Sequence, residues 1–156
     1  MRLTLLIASM LLASAAQAAP LVTNAPTLTE AGAVRVLHEA ETSAIAAKAP
    51  SAIAVVDPSG MLLAFIRMDD VRPGSVSLAI GKARSAALMR RPTAELADNV
   101  AKGRIGLATE GLTALVGGAP ITIHGVCVGA VGVAGLKADQ DEAIANEVAS
   151  AMGNAS

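Results

Sequence analysis

Few residues in this chain can do chemistry. Among its 156 residues are two histidines, one cysteine and one phenylalanine, with no tyrosine or tryptophan. His38 follows Leu37 and lies four residues after Val34, at the border of a helical apolar stripe. An imidazole there can reach a pocket or a neighbouring subunit, and imidazole is a standard axial ligand of haem iron. The same ring could serve as a general base, as could Asp69, or lie plainly on the surface. His124 precedes Gly125 and reads as an exposed turn residue. Lys82 and Arg84 can pair with a carboxylate, whether a haem propionate or a small organic acid, or form a solvated helix face. Arg67 and Asp69 close a strand, where they either make a structural ion pair or line a site. Gly117 and Gly118 permit a tight backbone path, and free N–H groups there could hold an anion. Cys127 lies in an apolar strand pattern and reads as a small core residue, with a metal or haem thiolate as the other reading.

Other chemistries lack their residues. A zinc site needs three or four His, Cys or carboxylate ligands, and no cluster has the spacing. His38, Glu39 and Glu41 are neighbours on a helix but share one face poorly. The nucleophile elbow G-x-S-x-G and the P-loop are both missing. Formal net charge is -1, with no basic run and no stacking aromatics, so a nucleic-acid groove is excluded.

The elements that must position these residues alternate clearly. Thr29 caps a helix to about Lys48, with Val34, Leu37, Ala40 and Ala44 as its stripe. Ala52 to Val56 and Met61 to Met68 are strands joined by the turn Asp57-Pro58-Ser59-Gly60. Ser75 caps a second helix from about Val76 to Met89, and Thr93 starts a third to about Lys102. The segment from Arg104 to Glu110 is ambiguous. Three strands follow: Leu112 to Val116, Ile121 to His124 and Val126 to Val133. Asp139 and Glu142 form a capping-box-like pair for a last helix striped by Ile144, Val148 and Ala151. The order α-ββ-αα-βββ-α predicts a single α+β domain with a five-stranded antiparallel sheet and helices packed on its faces.

Several motifs resemble the GlcG/HbpS family in order and spacing, over roughly Thr29 to Met152. They are Val55-Val56-Asp57-Pro58-Ser59-Gly60, Arg67-Met68-Asp69, Lys82-Ala83-Arg84-Ser85-Ala86 and Gly117-Gly118-Ala119-Pro120-Ile121. Gly129-Ala130-Val131-Gly132-Val133-Ala134-Gly135 and Gln140-Asp141-Glu142 complete the set. Asp70 stands where that family commonly has Gly, Ser85 replaces Thr, Ala134 replaces Ser and Leu136 replaces Gly. The resemblance implies a haem-binding protein, haem-sensing or haem-handling, rather than an enzyme. His38 is then the candidate iron ligand, and Lys82, Arg84 and Arg67 the candidate propionate partners. The alternative is an enzyme or accessory protein acting on a small organic acid such as a glycolate-like carboxylate.

Residues 1–18 read as an export signal. Arg2 is the positive n-region, Leu3 to Leu12 an apolar run too short to span a bilayer, and Ala16-Gln17-Ala18 a cleavage site. A linker over 19–28 and the domain over 29–153 follow. The protein is expected to be periplasmic or secreted, with a small-molecule ligand, no nucleic-acid partner and no stable membrane insertion. Its Ala- and Val-rich core buries little area per side chain, so association into a homo-oligomer is expected as well. Intact mass of protein recovered outside the cytoplasm should show a chain beginning near Ala19; recovery of only full-length cytoplasmic protein would refute export.

Overall fold

The computed structural model describes residues 20–135 and 137–154. The expected leader over 1–18 lies outside them, as does Leu136. Helix α1 (Glu30–Ala46) leads to strands β1 (Ala52–Val56) and β2 (Leu62–Arg67). Helices α2 (Gly74–Met89) and α3 (Thr93–Ala101) and a 3-10 turn (Ile105–Glu110) follow. Strands β3 (Gly118–Ile123) and β4 (Val126–Ala134) then precede helix α4 (Ala138–Asn154). Among the described residues no helix is long and apolar enough to cross a membrane.

The α+β class and the single antiparallel sheet stand, but the sheet has four strands in the order β2-β1-β4-β3, not five. The expected strand Leu112 to Val116 is a loop. Its Thr113 N–H donates to Ser85 Oγ on α2 (2.8 Å), so that group is satisfied by a helix side chain instead of a ladder. Gly117, at φ 104°, then turns the chain into β3. Helix α2 begins one residue before Ser75, which is buried inside the first turn and caps nothing. Asp139 likewise lies within the first turn of α4, and Ala151, expected in that helix's buried stripe, is exposed while Ile144, Ala145, Val148 and Ala149 are buried.

The two hairpins close as their residues dictate. Asp57 O accepts from Gly60 N (3.0 Å) across the β1–β2 turn, and Asp57 Oδ1 accepts from Ser59 N, Ser59 Oγ and Met61 N. Slight desolvation raises that carboxyl's pKa, but these hydrogen bonds and that of Gly60 outweigh it and hold it below the usual range. His124 and Gly125 both take positive φ, 48° and 80°, as a two-residue β3–β4 turn of the primed kind requires.

The sheet separates two cores. On one face α1 and α4 bury Val36, Ala40, Ile144 and Val148 against Ile53, Val55, Val131 and Val133. On the other, the buried cluster between α2 and the sheet holds eight alanines and Val56, with Val71 of the preceding loop. Small side chains let the helix backbone come almost to contact with the sheet. A Cβ on Gly118 would sit 2.5 Å from Lys82 O and 2.7 Å from Thr93 Cγ2, and one on Gly132 would sit 2.5 Å from Ala83 N. This close approach explains why a core can form with one phenylalanine in the chain.

Gly118→Ala should therefore force α2 and α3 away from β3 and cost about 1–3 kcal/mol in urea unfolding. Gly106→Ala, where nothing lies within 4 Å of the added carbon, should shift stability by less than about 0.5 kcal/mol. Equal effects at the two positions would contradict the packing account.

Candidate functional site

The sequence-derived candidates divide between the two sides of the sheet. His38 is on α1, whose buried residues are Ala33, Val36, Ala40 and Ala44. Ala40 and Ala44 are buried as expected, but Ala33 and Val36 take the inward places expected of Val34, which is 39% exposed, and Leu37, which is only partly buried. His38 points outward, its side chain 69% exposed. Val34, His38, Glu41 and Ile45 follow one another at helical spacing along one exposed face, with Ile45 61% exposed. The imidazole Nδ1 lies 3.5 Å from Glu41 Oε2, longer than a good hydrogen bond. Nδ1 faces the carboxylate, so Nε2 is the nitrogen available to a ligand. The sequence expectation that these residues share a face poorly is corrected for His38 and Glu41, which meet at i,i+3.

Glu41 also lines a cleft of about 370 Å³ with Pro50, Ile66, Arg67, Met68 and Asp69. It links His38 on α1 to Arg67 at the end of β2, so the fold brings these two candidates to one region. Arg67 and Asp69 are both exposed and make no ion pair with each other among the described residues. The structural ion-pair reading of that pair is not realised. Asp70 takes φ 63°, a left-handed conformation that Gly adopts freely and Asp tolerates, which accounts for Gly being common there in the family it resembles.

Lys82 lies elsewhere and is already occupied. It is 4% exposed on α2. Its Nζ donates to Val133 O (2.7 Å) and to Asp141 Oδ2 (2.9 Å). Asp141 Oδ1 in turn accepts from Gly135 N (2.7 Å). A Cβ on Gly117 would come within 3.0 Å of that same Nζ and 2.7 Å of Val133 O, so the glycine leaves room for the buried amine. Asp141 is the site residue that sequence reasoning passed over. The signal was its place in Gln140-Asp141-Glu142, but nothing local tells which of the two acids turns inward. Arg84 is exposed, and its stem packs on Gly60 in the β1–β2 turn. A haem held by His38 on one side of the sheet cannot also rest a propionate on Lys82 of the same chain without breaking the ion pair.

His124 is exposed at the tip of the β3–β4 hairpin. Cys127 is half-buried, and its Sγ donates to Gly129 O at 3.4 Å. Among the described residues no three His, Cys, Asp or Glu side chains group as a metal site.

The family described as haem degrading protein HbpS-like matches residues 28–150. The chain belongs to the HbpS-like family. It is 46% identical over 82 residues to Protein GlcG of Escherichia coli K12, a match covering 52% of this chain and 61% of GlcG. The chain thus spans less than two thirds of that relative's length. Its fold is similar to a double mutant of HbpS from Streptomyces reticuli, with TM-score 0.78 and 33% identity over 88% of this chain and 99% of that one. It is also similar to a PduOC:haem complex, with TM-score 0.70 and 26% identity over 82% of this chain and 95% of that one.

If the Lys82–Asp141 pair is structural, Lys82→Met should cost about 3–5 kcal/mol, because it strands a buried carboxylate. Adding Asp141→Asn, which removes that charge and keeps an acceptor for Gly135 N–H, should restore part of the loss. Urea unfolding of the single and double variants checks this; a single-variant loss under about 1 kcal/mol would contradict it.

Proposed function

We propose that this protein is an exported, haem-binding member of the HbpS-like family, with His38 as the iron ligand. The observation that carries the reading is the family match across residues 28–150 together with the likeness to a solved haem complex. The chain's own residues fit the group in part. His38 offers an accessible imidazole nitrogen with Val34 and Ile45 beside it on the same exposed helix face, so one apolar flank of a porphyrin could lie along α1. Arg67, which lines the same cleft as Glu41, would meet a propionate. Bound haem would supply an iron centre whose ligand chemistry the protein sets through His38 and Glu41.

The cleft lined by Glu41 and Arg67 is open and carries both polar and apolar groups, and it does not enclose a macrocycle. Covering the second haem face calls for another copy, which supports the homo-oligomer read from the sequence. Export to the periplasm or the medium rests on the leader-like residues 1–18. The organic-acid reading that used Lys82 to hold substrate gains nothing from an amine already paired with Asp141.

Haemin added to the apo protein should produce a Soret band of imidazole-ligated haem. His38→Ala should weaken binding at least about tenfold and shift that band, whereas His124→Ala should leave both unchanged. Identical spectra and affinities for wild type and His38→Ala would remove His38 as the ligand, and no spectral change with wild type would refute haem binding.

A further inference from the structure

A second cleft, of about 300 Å³, lies on the α2 side of the sheet, walled by the end of α2, by α3 and by the 3-10 turn. Its volume is at the small end for ligand pockets. The chemistry of its lining is divided. Met89, Pro92, Leu96 and Leu107 give an apolar floor and wall, while Arg91 and Arg104 bring two guanidinium groups to it.

The polar groups in the lining differ in what they have left to offer. Ser85 Oγ donates to Gly81 O and accepts from Thr113 N. Thr93 Oγ1 accepts from Gly118 N, and Asn99 Nδ2 donates to Glu95 O. The guanidinium groups are different. Arg91 makes one hydrogen bond, to Glu95 Oε2 (3.1 Å), and Arg104 makes one, to Asn99 Oδ1 (3.3 Å). Each guanidinium carries five N–H donors in a fork suited to a carboxylate, so most of this capacity is unused among the described residues. Glu95 is the acid in the lining, against two arginines, which leaves one positive charge uncompensated.

We propose that this cleft binds a small monocarboxylate with an apolar body, its carboxylate between Arg91 and Arg104 and its hydrocarbon part against Met89, Leu96 and Leu107. The cleft is independent of the haem reading, because α1 and His38 lie across the sheet from α2. A dicarboxylate fits less well, since one net charge is available and the remaining lining is apolar or internally hydrogen-bonded.

Calorimetric titration of the haem-free protein with hexanoate, hexan-1-ol and glycolate tests the proposal. Hexanoate should bind saturably, one per chain. Hexan-1-ol, lacking the charge, and glycolate, lacking the apolar body, should each bind at least about tenfold more weakly. Arg91→Met and Arg104→Met should each weaken hexanoate about tenfold, and Arg35→Met on α1 should not change it. Amide and side-chain NMR shifts induced by hexanoate should centre on Leu96, Asn99 and Arg104, which locates the site without relying on a variant. Hexan-1-ol binding as tightly as hexanoate, an absence of saturable heat, or shifts centred elsewhere would overturn the proposal.

Discussion

Lys82 brings its amine into a place where only 4% of the residue meets solvent, and the surrounding structure is arranged to accommodate it. The amine reaches from α2 to the carbonyl of Val133 near the end of β4 and to Asp141 in the first turn of α4. Asp141 holds the other end of the connection by accepting from Gly135 N. One ion pair thereby fixes where β4 stops, where α4 starts and how far along the sheet α2 sits. Burying two charges is expensive unless partners and additional hydrogen bonds compensate. Here the carbonyl of Val133 and the Gly135 amide supply those bonds, and no buried side-chain polar atom is left unsatisfied among the described residues.

The register set by that pair is only possible because α2 lies so close to the strands. Larger residues at Gly118 or Gly132 would meet the backbone of Lys82 or Ala83 and lift the helix away from Val133. The alanine-rich interface is therefore the geometric condition for the ion pair, while Val and Ile fill the opposite face under α1 and α4. Because α2 is held from inside the molecule, its outward and C-terminal residues, Arg84 and Met89 among them, are left to the surface and the clefts.

Much of this was legible in the sequence where local chemistry decides structure. Thr29 caps α1 by accepting from Gly32 N, and the Asp57-to-Gly60 turn and β1 from Ala52 to Val56 fall where turn and strand chemistry place them. Errors came where a distant partner decides. Leu112 to Val116 has strand composition, but the N–H of Thr113 in its middle bonds to Ser85, 28 residues away. Along α1, Ala40 and Ala44 are buried where the periodicity places them, but Ala33 and Val36 hold the inward places that the larger Val34 and Leu37 suggest for themselves. Lys82 looks free in the sequence, since its partner lies 59 residues along the chain and periodicity carries no trace of that pairing. The Arg91 and Arg104 cleft leaves no local trace for the same reason: α3 and the 3-10 turn bring the two together only in the fold.

The functional account thus assigns different tasks to the two sides of the sheet. The α1 side presents His38, Glu41 and the exposed aliphatic residues proposed to receive haem, while the α2 side keeps its lysine for the fold. A crystal structure of the protein with haem bound tests this division most directly. The account predicts iron on Nε2 of His38, with the porphyrin along the Val34 and Ile45 face and Lys82 Nζ still on Asp141. Iron on another donor, or a propionate resting on Lys82 with the ion pair broken, would contradict it.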